Sequence, residues 1–329
     1  MTSRPLLRDR RRTLVAGSLA VTAALTLAGC GSSDPAPAGD SSGSSAKTRT
    51  VDTANGKVEV PASPKRVVVL DSGELDSAIT LGVRPVGATH SASEDAFPSY
   101  LPASETKDIT PVGEIANASL ESVAALKPDL ILTSKVRDGE RYDELSKIAP
   151  TVMTEATGSA WKENFQVHAE ALGKQAEAEK VLATYDTQVA KVTEALGGKE
   201  KAAATDVNFV RFVEGAEIRI YGKQNYIGSL LADIGTGRPA ITDKAKDGFS
   251  YDVSPEKIDL ADADVIFTST YGDPGKAGTT KTMNSGLWKG LKAARNDKVF
   301  EVDDRLWIAG IGYTAAGKIL EEFETLMTK

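Results

Sequence analysis

Ser119-Leu-Glu121-Ser-Val-Ala-Ala-Leu-Lys-Pro-Asp129-Leu-Ile131-Leu-Thr133-Ser134 is echoed 135 residues later by Ser254-Pro-Glu256-Lys-Ile-Asp-Leu-Ala-Asp-Ala-Asp264-Val-Ile266-Phe-Thr268-Ser269. Ser, Glu, Asp, Ile, Thr and Ser match in register without a gap, and upstream Gly113 matches Gly248. One pair at so long an offset is not a solenoid, whose periods run about 20–50 residues. It implies two similar lobes, and two lobes imply a cleft between them. In each copy a Ser stands at a helix N-cap with Glu two residues in, and Pro255 occupies the first helical position of the second copy. An acidic group there stabilises a helix dipole by about 0.3–1 kcal/mol. The helix runs antiparallel to the strand it precedes, which sets Glu121 and Glu256 at corresponding rims of the two lobes.

Outward from the repeat, short apolar runs alternate with helical stretches, the pattern of βα units on a parallel sheet. Asn55-Gly56 marks a hairpin. Strands are expected at Arg66–Leu70, Arg84–Ala88, Asp129–Thr133 and Pro150–Met153, with a helix from Glu74 to Leu81. Residues 161–196 carry apolar side chains at three-and-four spacing, interrupted at Gly173. The second part is a helix of about 22 residues, or about 33 Å, able to span from one lobe to the other. Strands follow at Val207–Val213, Glu217–Tyr221, Asp264–Thr268 and Lys298–Val302, with a helix at Asn225–Ile234 and a closing helix at Tyr313–Met327. The fold class is α/β: two lobes with mostly parallel central sheets, joined by one long rigid helix. The segments are a leader (1–29), a tether (30–47), a first lobe (48–172), the inter-lobe helix (173–200) and a second lobe (201–329).

The leader has five arginines between Arg4 and Arg12, then an apolar run from Leu14 to Leu27 that is too short for a membrane span. It ends in Leu27-Ala28-Gly29-Cys30, and Cys30 is the only cysteine, so no disulfide can form within the chain. Residues 31–46 hold no large apolar side chain and form a flexible tether. Loss of the leader removes five Arg and one Asp, taking the net charge from −7 to −11. Nucleic-acid binding wants clustered Lys and Arg and is excluded on that ground.

Ligands of open parallel sheets bind beyond the carboxyl ends of the strands. The loops so placed hold Lys135, Arg137, Trp161, Tyr271, Arg305 and Trp307, which are cations and aromatics with few carboxylate pairs. Arg211 lies inside the apolar strand Val207–Val213, where a charge needs a partner or a ligand; a structural salt bridge and a ligand contact both fit. Packing and ligand contact are likewise both open for Trp161, and a solvated charge for Arg137. For Tyr271 and Trp307, on short loops at strand ends, ligand contact is favoured. Enzymatic chemistry finds little to use. There is no free thiol, His168 falls on a helix's apolar stripe, and His90 is remote from it. Gly312–Ile319 imitates a phosphate loop but lacks the Ser/Thr for Mg²⁺ and follows no strand. Two distant histidines do not make a transition-metal cage, so a metal, if bound, would arrive already wrapped in a chelator, with no cofactor and no metal held directly.

Leu27–Cys30 resembles a bacterial lipobox. With the polar tether, Val60-Pro-Ala-Ser-Pro-Lys-Arg-Val67, Val112-Gly113 leading into Ser-x-Glu and Lys-Pro-Asp-Leu-Ile, Ile148-Ala-Pro-Thr-Val152 and the Trp161 helix, the chain resembles substrate-binding lipoproteins of iron–siderophore ABC importers. That class includes ferrichrome and cobalamin binders. The resemblance, over residues 48–329, implies a shallow cleft with little hinge closure and one glutamate per lobe docking on the permease dimer, by position Glu121 and Glu256. It implies a monomer anchored through acylated Cys30 at the outer face of the cytoplasmic membrane. Arg211-Phe212 and Glu217-Ile-Arg219-Ile-Tyr221 resemble the siderophore binders, and Trp307 the aromatic after the last strand. Ligand-binding residues are then Arg137, Trp161, Arg211, Tyr221, Tyr271 and Trp307. The expected cargo is a ferric hydroxamate siderophore, with a cobalamin or haem receptor, or a surface hydrolase, as alternatives. Ile115 stands where ferrichrome-type relatives carry an Arg, and Arg137 is placed to compensate.

Overall fold

A computed structural model describes residues 47–91 and 97–329. The leader, Cys30 and most of the tether lie outside the described residues.

A hairpin of β1 (Thr48–Thr53) and β2 (Gly56–Pro61) precedes the first sheet. That sheet has the order β6-β5-β4-β3-β7-β8, built from β3 (Val67–Val69), β4 (Gly87–His90), β5 (Thr110–Glu114), β6 (Asn117–Ala118), β7 (Leu130–Ser134) and β8 (Thr151–Thr154). All its pairs are parallel except β5–β6. β3, β7 and β8 are buried along their whole length, as strands covered by helices on both faces must be. β4 starts three residues later than the apolar run suggests, because Pro85 has no N–H to give a ladder.

The second sheet has the order β11-β10-β9-β12-β13, from β9 (Val207–Val213), β10 (Ile218–Tyr221), β11 (Ser250–Val253), β12 (Val265–Tyr271) and β13 (Val299–Glu301). β9, β12 and β13 run parallel, whereas β10 is antiparallel to both β9 and β11. The four residues between β9 and β10 are too few for a crossover helix, and Gly215 at φ +76° turns the chain straight back.

Between the sheets run two helices, Trp161–Leu172 and the 21-residue Gln175–Ala195, separated at Gly173 in the left-handed conformation. The closing helix Tyr313–Met327 packs on Gln175–Ala195 and on helix Ser72–Thr80 of the first lobe. The largest apolar core therefore belongs to neither lobe alone. It contains Leu75 and Leu132, Trp161 and Tyr185, and Phe209, Phe267 and Phe323. A buried carboxylate crosses the same boundary: Asp76 accepts from the backbone N–H groups of Thr314 (3.1 Å) and Ala315 (3.0 Å), capping the closing helix from the other lobe. The phosphate-loop imitation at Gly312–Ile319 is thus a helix start already filled by an anion.

Several residues of the repeat have a physical task, although the hydroxyls of Ser134 and Thr268 are buried without a hydrogen-bond partner. Asp129 accepts from the N–H groups of Lys65 (2.8 Å) and Arg66 (2.9 Å) at the start of β3, and Asp264 from that of Asp206 (2.9 Å) at the start of β9. At the other end, Thr133 donates to buried Asp138 (2.5 Å) and Ser269 to Asp304 (2.7 Å). Gly113 and Gly248 both have positive φ, +119° and +75°. The copies differ at the helix. Ser119 caps Leu120–Ala125 by accepting from Ser122 N–H (3.2 Å), but Pro255–Ala261 is a 3-10 helix kinked at Lys257, and the Ser254 side chain makes no such cap bond. Glu121 and Glu256 are both exposed.

Candidate functional site

Between the lobes lies a cleft of two adjoining compartments, about 440 and 320 Å³, which share Arg137, Arg211, Ile308 and Ile311. A cavity of about 470 Å³ runs along the inter-lobe helix by Lys162, Tyr185 and Asp233, but no strand end reaches it. The cleft is where the strand-end rule places a ligand.

The larger compartment is basic. Arg137, Arg211, Arg219 and Arg305 line it, with His90, Tyr271 and, among the described residues, a single carboxylate, Asp71. Three of the four arginines are held by a hydrogen-bonded acidic neighbour. Arg137 donates through Nε to buried Asp71 (2.7 Å), whose other oxygen caps helix Ser72–Thr80 at Ser72 N–H (2.7 Å). Arg211 is held at both ends by Asp304, Nε to Oδ1 at 2.7 Å and Nη2 to Oδ2 at 2.5 Å, a planar fork that fixes the guanidinium. Burial works against the Arg211 charge, and Asp304 and Tyr221 together more than offset it, so its pKa lies above the ordinary arginine value. Its carbon stands 4.9 Å over the Tyr271 ring. Arg305 is held by Asp303 (2.8 Å), and Arg219 stands 3.8 Å from Asp252, beyond hydrogen-bond reach. Asp304 and Asp303, which hold Arg211 and Arg305, do not themselves line the compartment.

Arg211 and Arg219 are direct cross-strand partners on β9 and β10. Two like charges opposite one another are destabilising in an empty sheet. Arg219 Nε is also buried without a hydrogen-bond partner. Both features are relieved by an anion between them.

Behind Asp71 a buried pair continues into the core. Burial and then the neighbouring Asp71 push the Glu74 carboxyl up to about 8, while burial pushes His168 down to about 3. His168 Nε2 lies 3.7 Å from Glu74 Oε1, and both are uncharged at neutral pH. His168 is a packed core histidine, bonded to Ser77 Oγ at 3.0 Å.

Of the residues singled out in the sequence, Arg137, Arg211, Tyr221, Tyr271 and Trp307 line the cleft. Arg211 has both an ion-pair partner and a cleft position. Trp307 is fully buried, stacked on Phe267 at 4.8 Å, and its Nε1 donates to Glu322 (2.7 Å); it makes part of the floor. Trp161 does not reach either compartment. It sits in the inter-lobe core, 3 % exposed, against Tyr185, Tyr226 and Tyr313, with Nε1 donating to Ser229 (2.8 Å). Those three tyrosine rings and the bond to Ser229 hold the Trp161 ring in the joint between the lobes. Lys135 pairs with Glu155 (3.2 Å) and lines neither compartment. Ile115, which takes the place of an arginine, lines the larger compartment beside Arg137. Arg219 escaped notice as a site residue; its signal was alternation in Ile218-Arg219-Ile220, which puts it on the face of Arg211 once the strands are paired.

A two-lobed binding protein with a basic inter-lobe cleft is the class that this fold and site define. Residues 67–306 match the periplasmic binding protein family. The probable siderophore-binding lipoprotein YfiY of Bacillus subtilis (strain 168) is 37% identical over 317 residues, covering 93% of this chain and 95% of that protein. The iron(3+)-hydroxamate-binding protein FhuD of the same strain is 32% identical, covering 87% and 88%. The crystal structure of Staphylococcus aureus SirA complexed with staphyloferrin B superposes with a TM-score of 0.77 at 34% identity, covering 85% of this chain and 98% of that one. The chain belongs to the periplasmic binding protein family and is a binding protein, not an enzyme.

Proposed function

We propose that this chain captures a ferric siderophore of net negative charge and delivers it to the permease of an ABC importer. The observation that carries the reading is the convergence of Arg137, Arg211, Arg219 and Arg305 on one compartment, two of them paired across adjacent strands. The hydroxamate expectation rested on aromatics with one or two arginines. Four cations turned toward one space favour carboxylate or catecholate donors, whose ferric complexes keep negative charge. The siderophore-binding relatives support the cargo class. The lipobox and lipoprotein relatives support a chain held through lipidated Cys30 at the outer face of the cytoplasmic membrane. The exposed, equivalently placed Glu121 and Glu256 would meet the permease.

The test is fluorescence titration and native mass spectrometry of the purified chain against ferric dicitrate, ferric staphyloferrin B, a ferric tris-catecholate, ferrichrome and ferrioxamine, with cobalamin and haem alongside. Saturable binding of an anionic ferric complex, weakened by salt, supports the reading. Preference for ferrichrome or ferrioxamine restores the hydroxamate assignment, and binding only of cobalamin or haem overturns the cargo class. For the docking role, Glu121→Ala with Glu256→Ala should abolish uptake of that complex into cells while leaving its affinity for the purified protein unchanged; unimpaired uptake removes both residues from the role.

A further inference from the structure

The two compartments of the cleft differ in chemistry. The larger holds the cations, whereas among the described residues the smaller has no charged side chain beyond Arg137 and Arg211 at the shared waist. Its outer wall is Phe249. Among the described residues only Val136, Phe249 and Leu287 are large apolar side chains left exposed, and of these Phe249 alone faces the cleft. An exposed aromatic ring on the wall of a binding cavity is a contact surface awaiting an apolar partner.

The position of Phe249 is built into the backbone. Its carbonyl accepts from Gly222 N–H (2.7 Å) and from Asn225 Nδ2 (2.9 Å), and its ring stands edge-on to Tyr221 at 5.4 Å. Gly248 before it has φ +75°, and a Cβ there would meet Gln224 Cγ at 2.1 Å, so only glycine allows the turn. Across the compartment, Thr157 Oγ1 is buried without a hydrogen-bond partner.

Resting on the siderophore reading above, we propose that the smaller compartment is a separate subsite for an uncharged planar arm of the chelator, an aromatic ring or an amide, laid against Phe249. The iron and its anionic donors occupy the larger compartment, and Arg137 and Arg211 at the waist hold the junction. Affinity then has two sources that respond differently to ionic strength. Guanidinium contacts to the chelate are screened by salt, and burial of the arm on Phe249 is not.

The experiment titrates wild type, Phe249→Ala, Phe249→Tyr and Arg219→Gln with the tightest-binding member of the panel above, at low and at high NaCl. Phe249→Ala should weaken binding about tenfold at both salt concentrations, Phe249→Tyr should stay within threefold of wild type, and the Arg219→Gln loss should shrink as salt rises. Three results overturn the subsite while leaving the function standing: Phe249→Ala within twofold of wild type, a Phe249→Ala loss that fades with salt as that of Arg219→Gln does, or a Phe249→Tyr loss as large as that of Phe249→Ala. If wild type binds no member of the panel, the function itself falls.

Discussion

Arg211 and Arg219 stand opposite each other on neighbouring antiparallel strands and line the same compartment of the cleft between two lobes. Arg211 is tied to Asp304 at both ends of its guanidinium, whereas Arg219 has only a distant Asp252. The less satisfied member of the pair is the one whose removal should separate binding from stability. Arg219→Gln is expected to lower affinity for an anionic ferric complex about tenfold at low salt while the empty protein melts no earlier than wild type. Cross-strand like charges cost about 0.2–1 kcal/mol, and the substitution relieves them. Calorimetric melting alongside titration checks this; a clear loss of stability in the empty protein would make Arg219 a structural residue.

Asp304 should behave in the opposite way. It lies behind Arg211, takes a further hydrogen bond from Ser269, and is itself largely buried. Asp304→Ala leaves a buried guanidinium uncompensated, for which about 3–5 kcal/mol of stability is expected to disappear. Urea denaturation measures it, and a loss below about 1 kcal/mol would mean that Arg211 finds water instead.

Stability should also depend on pH in a way set by the pair behind Asp71. The Glu74 carboxyl, ordinarily near 4.5, is pushed up to about 8 by burial. Between those values the native chain keeps a proton that the unfolded chain has released, so stability falls as pH rises across the window. Asp76, raised from 3.8 to about 6 by burial, acts in the same sense up to pH 6. His168, lowered from 6.5 to about 3 by burial, acts oppositely and is finished by pH 6.5. From pH 6.5 to 8 Glu74 alone of the three contributes, and Glu74→Gln should flatten the decline there. Urea midpoints at half-unit steps test it, and wild type and variant running parallel would show that Glu74 is charged at neutral pH.

Trp161 should matter to folding and not to cargo. Trp161→Phe keeps an aromatic ring among Tyr185, Tyr226 and Tyr313 but removes the N–H that serves Ser229. About 1 kcal/mol of stability is the expected loss, with affinity within twofold of wild type. A larger change in affinity than in stability returns Trp161 to the site.

The sequence made the lobes legible because the repeat records the same local physics twice. Asp129 and Asp264 staple strand starts in both copies, whereas at the cleft end a carboxylate is held by Thr133 in one copy and, one position further on, by Ser269 in the other. Strand periodicity and Gly173 marked the elements between. Sheet direction in the second lobe was less legible, since antiparallel pairing of β10 depends on a short turn and not on any apolar pattern. The site was half visible. Arg211 stood out because it interrupts an apolar strand, but Arg219, in a strand of ordinary alternation, acquires meaning only from the residue opposite. Trp161 and Trp307 were harder to read: a large aromatic beside a cleft can line it, as Trp307 does, or turn into the core, as Trp161 does, and the direction is decided by tertiary neighbours such as Glu322 and Ser229.

Asp76 carries one more consequence, for the order in which the chain is assembled. Its buried carboxylate is satisfied by amides of Thr314 and Ala315, which lie 238 and 239 residues further along. During synthesis the first lobe therefore emerges with a carboxylate that Thr80 meets from within but whose backbone partners belong to the last helix, and that helix has its cap waiting before it is made. A chain stopped short of residue 313 loses more than its tail, because it leaves the first lobe holding an unpaid ionic group at the surface where the second should close.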